Sequence, residues 1–281
     1  MNPGVAPIAI FWLLYMAGLG VIFPYLSLYF QENVGLTGTQ LGLALAMHPL
    51  MGIVASPFWG QWADRSGRRR GALFLLASGS ALGYFLVPHA SSFPQLLLCL
   101  AFLSTFTAPA MAVASSLSFA VLGDGGAARF GRIRVWGTVG YLVMILAFPF
   151  LLASQGGDAS VVRSTRGLEM IFPQAAIMSH SAAFVLLRLP DSDAISVRAK
   201  REDLSALLRQ SSYLRLLVLA FFAFGLLSGP ILLFPVFVTE HGGTIETVSR
   251  MWIPMLHHEI PLIYYAGAGM RRLAARGLIA A

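Results

Sequence analysis

The sequence predicts an all-α integral membrane protein, a bundle of about eight transmembrane helices. Three observations carry that prediction. Hydrophobic residues make up 57% of the 281 positions and charged residues only 11%, with a mean hydropathy of +0.74. A soluble globular chain carries about 25% charged residues, so this one cannot clothe a water-facing surface. Apolar runs of about the 20 residues that one span requires recur along the chain. The basic residues fall between those runs in an alternating pattern.

The expected spans are 8–30, 39–61, 71–88, 95–121, 132–153, 168–189, 213–239 and 247–269. Span one follows Met1–Pro7, which holds no Lys or Arg. Its apolar run is too long for a signal peptide, so it reads as a retained span. Span six is the least apolar in pattern, with Pro173, Ser179, His180 and Ser181. Pro24, Pro49, Pro57, Pro109, Pro149, Pro235 and Pro261 fall inside spans. Neighbouring helices of a bundle can satisfy the carbonyls that a proline frees.

The charges orient the bundle. Of the 19 Lys and Arg, 16 follow even-numbered spans or lie at the matching helix ends. They are Arg65, Arg68, Arg69, Arg70, Arg129, Arg132, Arg134, Arg188, Arg198, Lys200, Arg201, Arg209, Arg215, Arg271, Arg272 and Arg276. Only Arg163, Arg166 and Arg250 lie on the other side. Basic loops stay cytoplasmic, which puts both termini in the cytoplasm; the expected location is a plasma (inner) membrane. The net charge of +7 and pI near 10.1 then reflect topology, not nucleic acid. The mixed-charge stretch 190–212 reads as a cytoplasmic linker between a six-helix unit, residues 1–189, and a partial second unit, residues 213–281. The single cysteine, Cys99, excludes an internal disulfide and a multi-cysteine metal site.

The segment Gly60-Gln-Trp-Ala-Asp-Arg-Ser-Gly-Arg-Arg-Arg70 joins spans two and three. It resembles the loop motif of the major facilitator superfamily, with Gly60, Asp64, Arg65, Gly67, Arg68, Arg69 and Arg70 in place. Gly20–Tyr29, Gly35–Gly42 and the span-five segment Phe130-Gly-Arg-Ile-Arg-Val-Trp-Gly-Thr-Val-Gly-Tyr141 are similar to the group of phenylpropionate permeases, nucleoside–proton symporters and the lactose permease. Gly131, Arg132, Arg134, Trp136 and Gly137 carry that second match. The resemblance implies a major facilitator-type bundle and a secondary active transporter. Its activity would be proton-coupled uptake of a small organic solute: an aromatic acid, a nucleoside or a sugar. The family has twelve spans in two halves and this chain offers eight. The alternative is therefore a truncated, transport-inactive or partner-dependent membrane protein derived from such a transporter, needing a membrane partner or the missing helices.

Ionisable groups inside spans are the candidate machinery, because a charge at mid-bilayer costs about 3 kcal/mol on insertion scales. Glu259 is the one acid deep in a span. The resemblance ties such a span-eight Glu to proton coupling; a structural hydrogen bond to a neighbouring helix is the other reading. His48 is the second proton-coupling candidate, with a satisfied packing role as its alternative. His257 and His258 precede Glu259, but successive helical residues point about 100° apart, so the three cannot share one cavity. Tyr15, Gly18, Ile22, Tyr25 and Tyr29 recur at 3-4-3-4 spacing and would share one helix face. Tyr15, Tyr25 and Tyr29 are substrate-cavity candidates, or else packing and an aromatic belt. The hydroxyls of span four, Ser104, Thr105, Thr107, Ser115, Ser116 and Ser118, read as interhelical packing. Gly60 would permit close helix approach. Asp64 would pair with Arg132 or Arg134 within this chain, and the loop motif would serve as topology anchor or gate latch. No Gly-x-x-x-x-Gly-Lys-Ser/Thr nucleotide loop is present, and no nucleophile–base pair has workable geometry. No enzyme activity, cofactor or metal is expected.

Overall fold

The computed structural model describes residues 4–123, 126–154, 167–189 and 209–272. Every regular element among them is helical. The expected linker, apart from its last four residues, lies outside the described residues.

Span one is two helices, α1 (Val5–Ile22) and α2 (Leu26–Glu32), not the continuous 8–30 helix expected. Pro24 is the reason: it has no N–H to donate and its ring crowds the carbonyl one turn back. The chain tightens there into a turn, with Tyr25 N donating to Ile22 O at 3.2 Å. Helix α3 (Gly38–Ser66) starts at a capping box. Thr37 N donates to Gln40 Oε1 at 3.0 Å, and Gln40 N returns to Thr37 Oγ1. It ends at Gly67, whose φ of +67° suits a residue without a Cβ. Helix α4 is Arg69–Leu86, followed by a 3-10 turn to His89. Ser92 caps α5 (Phe93–Leu122), with Pro94 in the first turn where no N–H is needed. Helix α6 is Gly126–Ser154, and α7 is Ile171–Leu186 after a 3-10 turn from Leu168. Pro173 sits in the first turn of α7, so it breaks nothing. Helices α8 (Ser211–Glu240) and α9 (Ile245–Arg272) are the last of the described elements. Pro49, Pro57, Pro109, Pro149, Pro230, Pro235, Pro254 and Pro261 all lie inside continuous helices.

Six described segments are long and apolar enough to cross a membrane: Val5–Glu32, Gly38–Ser66, Arg69–His89, Phe93–Leu122, Arg129–Ser154 and Ser211–Glu240. Helices α7 and α9 pack among them without meeting that measure. Helix α1 lies between α6 and α7; α4 joins α7 to α5; α3 packs on α5; α9 packs on the far side of α6. The core has two layers. One holds Phe11, Trp12, Leu73, Leu76, Val113, Leu117 and Ile133 toward the α1 N-terminus. The other holds Tyr25, Phe30, Leu100, Tyr141, Ile145, Phe172 and Trp252 toward the opposite end.

Glycines set the closest crossings. A Cβ on Gly140 would stand 2.0 Å from Leu13 O, and one on Gly20 2.5 Å from Tyr141 O, so α1 and α6 touch backbone to backbone. On α4, one turn apart, Gly79 admits the Phe106 ring of α5 and Gly83 the backbone and side chain of Leu103, the small-residue packing of membrane helices. Helix α8 is the exception: none of its most apolar window is buried among the described residues.

Candidate functional site

The richest polar arrangement lies where α6 meets α9, with α1 and α2 alongside. Helix α9 presents Ser249, Trp252, Leu256, Glu259 and Ile263, spaced three or four apart and so on one face. Helix α6 answers with Gly131, Arg134, Thr138, Tyr141 and Ile145 at the same period. Gly131 fixes the approach: a Cβ there would be 2.2 Å from Ile263 O.

At the centre, Thr138 Oγ1 donates to Glu259 Oε1 at 3.4 Å. Thr138 is 1% exposed and lies between Ile133 of one core layer and Tyr141 of the other, which sets the carboxylate near mid-height. Arg134, one turn below, is the nearby positive charge and interacts electrostatically with Glu259. Its guanidinium lies over the Trp12 ring at 4.8 Å, a cation–π contact strengthened by exclusion of water. Trp12 is itself held by Nε1 donating to Ser118 Oγ at 3.0 Å. Gly137 makes the room: a Cβ there would lie 2.8 Å from Arg134 Nη1 and 2.9 Å from Met16 Cγ.

Above Glu259, the Tyr25 hydroxyl hydrogen-bonds Ser249 of α9 and reaches Ile145 O of α6 at 3.5 Å. Trp252 packs on Tyr141 at 6.1 Å and on Phe23 at 5.7 Å. Three buried polar atoms in this seam have no hydrogen-bond partner among the described residues: Arg134 Nη1, Tyr141 Oη and Trp252 Nε1. Buried polar groups are otherwise almost always satisfied. A guanidinium, a phenol and an indole N–H are thus left open along the same seam as the carboxylate.

The other expected residues lie as follows. His257 and His258 are exposed, while Glu259 is partly buried; His258 Nδ1 lies 2.7 Å from Pro254 O of its own helix. His48 is exposed on α3, which packs on α5, so it is not brought to Glu259. The three span-one tyrosines do not share a face, because the turn at Pro24 interrupts the helical period. Tyr15 stacks on Phe11 at 5.5 Å and lies beside Ser80 of α4. Tyr29 packs edge-on to Phe172 of α7 at 4.8 Å. Only Tyr25 reaches the seam, and burial of Tyr25 and Tyr29 at 0% and 7% exposure takes both out of an outer aromatic belt. Trp136 is exposed, as is Arg132.

In the loop motif, Asp64 pairs with Arg69, where Arg132 or Arg134 was expected. Arg69 Nη2 and Nε reach Asp64 Oδ1 at 3.1 and 3.2 Å. The turn at Gly67 folds Arg69 back over the end of α3, and a partner five residues away costs far less chain entropy than one on another helix. Gly60 has nothing within 4 Å of a Cβ, so no described helix makes the close approach expected there. Arg65 and Arg68 are exposed, and Arg70 Nη1 donates to Leu189 O beyond the end of α7. Arg129 caps α5 in the same way through Leu122 O at 2.6 Å. Arg271 and Arg272 end α9, with side chains outside the described residues.

Thr138, Tyr141, Ser249 and Trp252 were not singled out from the sequence. The signal was present: 249, 252, 256 and 259 repeat at 3-4-3 spacing, as 131, 134, 138 and 141 do.

Comparison with known proteins gives the ancestry. The chain is 26% identical over 255 residues to a maltose permease of Geobacillus stearothermophilus, which covers 90% of this chain and 62% of that protein. It is 22% identical over 256 residues to an uncharacterized transporter, YwbF, of Bacillus subtilis (strain 168), covering 91% of this chain and 61% of that one. A shorter stretch of 93 residues is 34% identical to a class E tetracycline resistance protein of Escherichia coli, or 32% of this chain and 23% of that protein. The chain thus spans about three-fifths of the length of the first two relatives. The MFS_1 like family matches residues 6–281, nearly the whole chain, and with the helical bundle described above this shows that the protein belongs to that family of major facilitator membrane transporters.

Proposed function

We propose that the protein takes part in secondary active transport of a small polar organic solute, with Glu259 exchanging the coupling proton. The observation that supports this reading is the α6/α9 seam. One carboxylate lies near mid-height, bonded to Thr138 and facing Arg134, with three buried donors left open beside it. Seating a solute there would satisfy those donors, and loss of the proton from Glu259 would strengthen its attraction to Arg134. A solute that engages Arg134 would withdraw that attraction and favour the protonated carboxyl, so solute binding and proton uptake would be linked. Alternating access would carry the seam from one side of the membrane to the other. Among aromatic acids, nucleosides and sugars, a sugar is the first solute to try, since one relative is named a maltose permease.

The domain reading belongs to the same proposal: a six-helix half over 1–189, a cytoplasmic linker over 190–212, and two helices of a second half over 213–281. Both termini face the cytoplasm of a plasma (inner) membrane. The Gly60–Arg70 loop anchors that topology, and His48 is a secondary proton-site candidate. A second reading, activity only with further helices or a membrane partner, is favoured by the uncovered face of α8.

The test is uptake into proteoliposomes under an imposed pH gradient, for labelled members of the three solute classes. The wild-type chain is expected to accumulate one class against its gradient. Glu259→Gln should abolish accumulation while solute exchange persists. Accumulation by Glu259→Gln at the wild-type level would overturn the role of the carboxylate, and failure of the wild type with every class favours the second reading.

A further inference from the structure

Between α8 and α9 lies a cleft of about 250 Å³ lined by Pro230, Ile231, Phe234, Met251 and Trp252. Four of its five walls are purely apolar side chains. The fifth, Trp252, is 6% exposed and also forms the wall of the α6/α9 seam, against Tyr141 and Phe23. Its Nε1 is one of the buried donors without a partner. One side chain therefore borders both the polar seam and the apolar cleft. The cleft is smaller than the ~300 Å³ at which pockets begin to hold a whole drug-sized ligand, so it has room for part of a solute only.

We propose that the transported solute is amphipathic, its polar head held in the Glu259–Arg134 seam and an aryl group seated in the α8/α9 cleft, with Trp252 as the specificity-determining residue between them. This rests on the seam being the solute site. The indole is suited to the division: its N–H serves the head and its ring face serves the aryl group. The expected preference is large, because one methylene in an apolar pocket changes affinity about 10-fold or more.

The experiment uses the purified 281-residue chain in nanodiscs. Equilibrium binding is measured for pairs that share a head and differ in the substituent: methyl and 4-nitrophenyl glucoside, methyl and 4-nitrophenyl maltoside, and benzoate against acetate. For at least one pair, the aryl member should bind at least about 10-fold more tightly. Ile231→Trp, which fills the cleft from α8, should erase that difference by weakening the aryl member. Arg134→Gln should weaken both members of the pair. Equal binding of the two members overturns the proposal, as does a preference that survives Ile231→Trp; a cleft filled by a lipid tail gives the first of these results. Binding of both members that ignores Arg134→Gln overturns the seam as the site, and so does an absence of binding by every pair, which separates failure of that reading from failure of this one.

Discussion

Gly131→Ala is the sharpest test of the seam, because the glycine sets the distance on which everything above it depends. The new Cβ would meet Ile263 O at 2.2 Å, where ordinary contact is 3.4–4 Å. The obstacle is backbone of another helix, so it cannot rotate away. The helices must part by about 1 Å in a close-packed interior. Overpacking of this kind costs about 3 kcal/mol at its upper end. Alanine returns up to about 1 kcal/mol of helix propensity, leaving a net loss of about 2 kcal/mol. For a chain of this size that is a fall in Tm of about 4–8 °C. The Thr138–Glu259 bond, already 3.4 Å long, would not survive such a shift, since hydrogen bonds fade beyond about 3.5 Å. The assay is thermal unfolding of the detergent-solubilised chain, with Gly60→Ala as control, because nothing lies within 4 Å of that position. The control should melt at or slightly above the wild type. A Gly131→Ala protein that melts within about 1 °C of the wild type, or a Gly60→Ala protein that loses as much, would refute the reasoning.

Two further outcomes follow from the contacts. Ser118→Ala should destabilise by about 1–3 kcal/mol, because it strands the fully buried Trp12 Nε1; Ser115→Ala, whose hydroxyl bonds Met111 O within its own helix, should stay within about 0.5 kcal/mol. Equal melting of the two variants would contradict this. Asp64→Asn should cost no more than about 1 kcal/mol, since its pair with Arg69 is exposed on the Asp64 side; a larger loss in the same assay would mean that the carboxylate bears on helix packing beyond the loop.

What could be read from the sequence divides by how local its cause is. The positions of six of the eight expected spans followed from composition, because apolar runs of membrane length have few other uses. The capping of α3 by Thr37 and of α5 by Ser92, and the turn at Gly67, are likewise encoded within four residues. The break at Pro24 was not distinguished from the tolerated prolines. Proline chemistry is the same at every site, and whether the helix continues depends on what packs around it. The pairing of Asp64 was missed in the opposite direction. A distant arginine was expected where a nearby one, brought round by the Gly67 turn, wins on entropy. The glycines of the span-five motif were recognised as a pattern, yet their roles are geometric: Gly131 admits α9, Gly137 admits a guanidinium, and Gly140 admits α1. Those roles need the neighbours' positions and cannot be read from one strand of text.

Helix α9 shows why the site was only half legible. It carries Glu246, Arg250, His257, His258 and Glu259, and it does not meet the measure of a spanning helix that six other segments meet. An average over a helix mixes its faces. Once the faces are separated, the charges divide. Glu246 and Arg250 pair with each other at 2.6 Å on the exposed side, and the two histidines are exposed as well. Among the described charged side chains of α9, Glu259 is the one that turns to α6, in line with Ser249 and Trp252. The residues that weaken α9 as an apolar span are thus of two kinds, those kept outside the bundle and the one brought into it. The inward one is answered from a different helix, by Thr138 and Arg134. Its environment therefore depends on how α6 and α9 sit against each other, a distance set by Gly131. A carboxylate whose partners belong to a second helix is one whose neighbours change if the two helices shift, which is the arrangement that the proposed role of Glu259 would use.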